Sequence, residues 1–175
     1  KIYPLSLHDA LPIGRWRCAL IQRDTIAMLD KAHWQHLIPH RGAMCLLDAV
    51  VAWDEAGIRA RAGSHRDPEN PLRADGCLHA VNLCEYGAQA MAVHGGLLAQ
   101  REGGAATSGL LVSLREVKLH VARIDDLPHD LDVHARKIAV GAGAMQYAFR
   151  IEHAGVVLAE GRAAVMTSAA ERNHA

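Results

Sequence analysis

Residues 78–96 read LHAVNLCEYGAQAMAVHGG. Small and apolar side chains recur on every side of this run, so it reads as a helix enclosed by the rest of the fold rather than one lying on a surface. Ala80, Gly87, Ala88, Ala90 and Ala92 leave room for neighbouring backbone to come close. Within the run stands Glu85 and, one helical turn on, Gln89, which the 3.6-residue period places on the same face. An ionised carboxylate in such surroundings is costly unless paired, so Glu85 either finds a partner or takes up a proton. Bound to backbone or to an arginine it would be structural. At the wall of an apolar pocket it could deliver a proton to a leaving hydroxyl. Gln89 either orients Glu85 or satisfies a strand carbonyl, and Gly95-Gly96 is the expected end of the helix.

Working outward, MCLLDAVVAWDEAGIRARA (44–62) predicts two strands joined at a turn over Asp54–Gly57. SHRDPENPLRADG (64–76) combines Pro, Asn and Gly and predicts an ordered, irregular loop. Further upstream, TIAMLDKAHWQHL predicts a short helix capped by Asp24, anchored by Leu29 and Trp34 and ended by Pro39. Downstream of the central helix the period changes to two. Val117, Leu119 and Val121 alternate with polar neighbours, as do Leu131 and Val133, and Tyr147, Phe149 and Ile151. HAG at 153–155 turns the chain into VVLAEGRAAVM. About four antiparallel strands, each with one dry and one wet face, are therefore expected after the helix. The order implies an α+β domain in which an antiparallel sheet wraps a long central helix, an arrangement that resembles the hotdog fold.

Composition narrows the function. A chain of 175 residues, half of them apolar and with zero formal net charge, suits one domain with a sizeable core and no nucleic-acid partner. No apolar run is long enough to span a bilayer. Cys18, Cys45, Cys77 and Cys84 show no paired spacing, which predicts reduced thiols and a cytoplasmic protein. His33, His36 and His40 fall at metal-face spacing, but Pro39 breaks the helix, so no metal is expected. LSLHDALPI at 5–13 resembles the translation of a sequencing adapter. We therefore assign 1–24 as an extension, 25–168 as the domain and 169–175 as a tail.

LIPHRGAMCLLDAV (37–50) resembles the opening motif of bacterial 3-hydroxyacyl-[acyl carrier protein] dehydratases, and CEYGAQAMAVHGG resembles their central helix. SHRDPENPLRADG and SLREVKLHVARIDDLP are more similar to the branch associated with aryl-polyene biosynthesis, so the resemblance covers about residues 33–167. It implies a homodimer or a heterodimer with another hotdog subunit, and acyl tunnels at the interface. The substrate would be a 3-hydroxyacyl thioester carried on the phosphopantetheine of acyl carrier protein, with no further cofactor. Glu85 matches the helix acid that protonates the departing hydroxyl. Backbone N–H groups around His79 and Ala80 would polarise the thioester carbonyl.

One part of the family pattern is missing. The main branch carries its catalytic base in a His-Phe-Pro-Gly stretch. Counting back fourteen residues from Glu85 reaches Pro71, between Asn70 and Leu72. His40, His65 and His79 are the candidate replacements. His40 ranks first because Pro39 and Gly42 fix a tight backbone around it, and His65 second. Rival readings are a non-catalytic hotdog subunit paired with a complete dehydratase, and an acyl-thioesterase.

Overall fold

The computed structural model describes residues 28–104, 109–141 and 144–167. Asp24, Cys18, the adapter-like segment and the tail lie outside the described residues. Leu29–Asp30 forms a short strand, β1, pairing antiparallel with Val50 and Ala49. The first helix therefore cannot start before Lys31: α1 covers Lys31–Trp34 and a 3-10 turn follows at Gln35–Leu37. Its cap is Asp30 rather than the expected Asp24, the Asp30 carboxylate accepting the Ala32 N–H at 3.0 Å. Trp34 anchors it in the core.

The expected hairpin is present as β2 (Ala49–Trp53) and β3 (Gly57–Ala62). Its turn is built by Asp54, whose carboxylate accepts the N–H groups of Ala56 and Gly57 at 2.7 and 2.9 Å. A 3-10 turn at Ala80–Asn82 leads into α2, Leu83–Arg101. This helix runs through Gly95-Gly96 instead of stopping there. Neither glycine has a positive φ, and Gly96 is small because Leu37 lies against it: an added Cβ would sit 2.7 Å from the Leu37 Cβ. The stop comes at Gly103, with φ +73°, where Gly104 N–H reaches the Ala99 carbonyl at 2.9 Å.

Four long strands follow: β4 (Gly109–Leu119), β5 (Leu131–Gly141), β6 (Ala144–His153) and β7 (Val156–Thr167). The sheet order is β1-β2-β3-β5-β6-β7-β4, with every described pairing antiparallel. Its inner face presents Val133, Phe149 and Ile151 to the buried Tyr86, Ala90 and Val93 of α2. Each of the larger aliphatic and aromatic side chains among these contributes about 1.5–3 kcal/mol. Gly87 is what lets the sheet close on the helix, since a Cβ there would meet the Phe149 ring at 3.1 Å. β4 is the edge, bonded only to β7 among the described strands. Leu111, Leu114 and Leu119 on it stay 38 to 41 % exposed. Among the described residues no helix is long and apolar enough to cross a membrane, and Cys45, Cys77 and Cys84 are free thiols.

Candidate active site

The opening motif crosses the central helix as a loop with two internal braces. Arg41 Nη1 donates to the carbonyls of Ile38 and His40, the latter at 2.7 Å. The Cys45 thiol donates to the same His40 carbonyl at 3.2 Å. So held, the loop turns the His40 ring toward the helix, and Nε2 lies 3.1 Å from Glu85 Oε1.

Gln89 joins loop and helix together. Fully buried, its Nε2 donates to Glu85 Oε1 at 2.9 Å and to the Met44 carbonyl at 2.8 Å. Its Oε1 accepts the Leu46 N–H at 2.9 Å. Both donors and the acceptor of the amide are thus occupied, and the carbonyl it reaches belongs to the 3-10 turn Gly42–Met44 rather than to a strand.

Glu85 is not enclosed as its helix suggested. Its side chain is 31 % exposed and that of His40 is 29 % exposed. They stand at the mouth of a cavity of about 240 Å³ that continues along α2 past Ala88, Met91 and Ala92 to Gly95 and Gly96. Leu111, Met145, Tyr147 and Val165 of the sheet line the opposite wall. A carboxyl and an imidazole in contact, opening on an apolar slot, can exchange a proton with each other and with a bound molecule.

The other sequence candidates lie elsewhere. His65 is fully buried in a 3-10 turn at Ser64–Arg66, and its Nε2 meets the Leu127 carbonyl at 3.2 Å. Burial holds its pKa below the usual imidazole value. It does not line the cavity of Glu85. The helix entrance is also committed: Ala80 donates its N–H to the Ala122 carbonyl at 3.0 Å, and His79 sits exposed in a bridge with Arg123. The Ala80 N–H is therefore unavailable to a thioester carbonyl, contrary to expectation.

The segment standing where His-Phe-Pro-Gly would be is structural. Asn70 Nδ2 donates to the Ser64 carbonyl at 2.8 Å and to the Tyr86 hydroxyl at 3.2 Å, and Ser64 Oγ donates to the Leu46 carbonyl at 2.7 Å. Ser64 thereby ties this loop to the opening motif, and Tyr86, the neighbour of Glu85, ties it to the central helix.

Sequence reasoning missed His94. It is fully buried, with Nε2 at 2.8 Å from the Asp54 carbonyl and Nδ1 at 2.9 Å from the Tyr147 hydroxyl. A carbonyl only accepts, so Nε2 carries the hydrogen and neutral Nδ1 accepts from Tyr147. Burial lowers the His94 pKa and pushes Tyr147 up to about 12. The signal was available, since a histidine inside the apolar run 91–97 needs partners just as Glu85 does. Among the described residues no cluster of three or more His, Cys, Asp or Glu is arranged to hold a metal ion.

Residues 32–174 match the model of the ApeP-like family, described as ApeP dehydratase. Among solved structures, the chain is similar to the dehydratase heterocomplex ApeI:P from Xenorhabdus doucetiae. That match has 23 % identity over 77 % of this chain and 90 % of that chain, with TM-score 0.69. It is also similar to an HP0420 homologue from Helicobacter felis, at 13 % identity over 74 % of this chain and 82 % of the other, with TM-score 0.51. No curated protein matches significantly. At these identities the structural likeness speaks for the fold, and the family match spans most of the sequence. With its antiparallel sheet wrapped around one long helix, this chain is a hotdog-fold member of the ApeP-like dehydratase family.

Proposed function

We propose that the chain removes water from a 3-hydroxyacyl thioester, carried on acyl carrier protein, to leave the trans-2-enoyl thioester. The carrying observation is the 3.1 Å contact between His40 Nε2 and Glu85 Oε1 at the cavity mouth. His40 takes the proton from the carbon next to the thioester carbonyl. The electron pair of that bond forms the double bond, and the carbon–oxygen bond to the hydroxyl breaks. Glu85 protonates the leaving oxygen, which departs as water. The pair then stands as imidazolium and carboxylate, and one proton transfer across the contact restores it. Gln89 keeps Glu85 Oε1 in place throughout.

The β4 edge supports assembly with a second hotdog chain. An eleven-residue edge strand with exposed leucines on the helix-facing side of the sheet is a surface to be covered. The likeness to a dehydratase heterocomplex favours a second hotdog subunit as the cover. The purified chain, alone and with such a subunit, should be given a 3-hydroxyacyl-carrier thioester and the products followed by mass spectrometry. Loss of water with the thioester intact is expected. Release of free thiol without water loss would make it a thioesterase, and no reaction in either setting would leave only a binding subunit.

A further inference from the structure

The cavity is polar only at its mouth. Beyond His40 and Glu85 the walls are apolar, and Tyr147 presents its ring because its hydroxyl is held by His94. The slot follows one helical face from Glu85 to Gly95, ten residues on, a run of about 15 Å at the helical rise. The two glycines at its end behave differently. Gly96 is filled by Leu37, so a side chain there must displace the turn at Gln35–Leu37. Gly95 faces space: among the described residues an added Cβ would meet only the flexible end of Met145, at 3.9 Å.

We propose that Gly95 is the chain-length determinant of this site, its missing side chain leaving the end of the slot open to the tail of a long, uncharged acyl group. The identity of the thioester rests on the dehydratase reading, whereas the length limit rests on the cavity alone. Gly95→Leu occupies the end of the slot, and it also raises helix propensity, so α2 is kept. Met145→Ala enlarges the same end from the sheet side.

The test compares the purified full chain and its variants, with the pairing subunit where that is needed. Binding of 3-hydroxydecanoyl-pantetheine is measured by calorimetry, and turnover of both this thioester and 3-hydroxybutyryl-pantetheine is followed. Gly95→Leu is expected to weaken binding of the long thioester by roughly tenfold or more, since apolar pockets discriminate by about that factor per misfitted group. Handling of the short thioester should match the parent, and Met145→Ala should shift preference toward the longer one. Should Gly95→Leu fail to fold, Gly95→Ala, which reaches only Met145, replaces it. Equal loss on both thioesters, or unchanged binding of the long one, overturns the proposal. Absence of enoyl product from the parent with either thioester would strike the dehydratase reading instead, and the binding comparison would still decide the length limit.

Discussion

The two walls of the cavity are built in opposite ways. On the helix side Gln89 bonds to Glu85, Met44 and Leu46, Arg41 and Cys45 hold the His40 carbonyl, and Gly96 is filled by Leu37. On the β4 side Leu111 and Leu114 are more than a third exposed, and among the described strands β4 has a neighbour on one flank only. The contrast separates two tasks. Placement of the His40–Glu85 pair is completed by this chain's own bonds, while the β4 side of the slot stays open to water in the single chain.

The largest effect should come from the reacting groups. Glu85→Gln and His40→Ala are each expected to lower turnover by about 10²–10⁴-fold with little change in fold, read from initial rates and circular dichroism. Their combination should cost little more than either alone, as for groups acting as one unit. Full activity of Glu85→Gln would dissolve the helix-wall half of the contrast. Next, Gln89→Leu strands the Met44 carbonyl and the Leu46 N–H in the interior. A loss of roughly 3 kcal/mol in urea unfolding is expected from two unsatisfied buried groups.

On the other wall, Leu114→Lys places a charge in the middle of the edge. It should weaken subunit pairing by about 2 kcal/mol, as measured by sedimentation, while urea stability of the isolated chain stays near the parent value. If pairing survived unchanged, β4 would not be the covered edge. The smallest effect is acid sensitivity. Burial lowers the pKa of His65 and of His94 in the folded chain, so below the ordinary imidazole value of about 6.5 the unfolded chain binds more protons. Stability should therefore be level above that pH and fall as pH drops through it toward the folded values. His65→Asn should flatten part of this slope in urea titrations without altering turnover.

How far the sequence could be read depended on whether a feature repeats along the chain or is made across it. The strands of 131–163 were legible because their side chains alternate, and the α2 core because small residues recur on all its faces. The two residues of β1 carry no period at all. They are a strand only because Val50 and Ala49 lie beside them, and that pairing moved the helix cap to Asp30. Gly95-Gly96 misled because glycine ends helices and also admits close neighbours, and only the position of Leu37 tells which. For the site, Glu85 stood out as an acid in an apolar run, and His40, ranked first from Pro39 and Gly42, lies 3.1 Å from it in a loop braced by Arg41 and Cys45. The commitment of the Ala80 N–H to Ala122 could not be read, because it depends on a loop carbonyl more than forty positions away.

One consequence of the His40–Glu85 contact concerns heredity more than chemistry. Both residues hang from a single polypeptide, so under the proposed reaction one gene would encode the whole proton-handling unit. A companion subunit that merely roofed the slot would then be free to shed its own acid and base over generations without silencing its neighbour. Under that arrangement, paralogues can drift into specialised scaffolds while the lineage keeps its reaction.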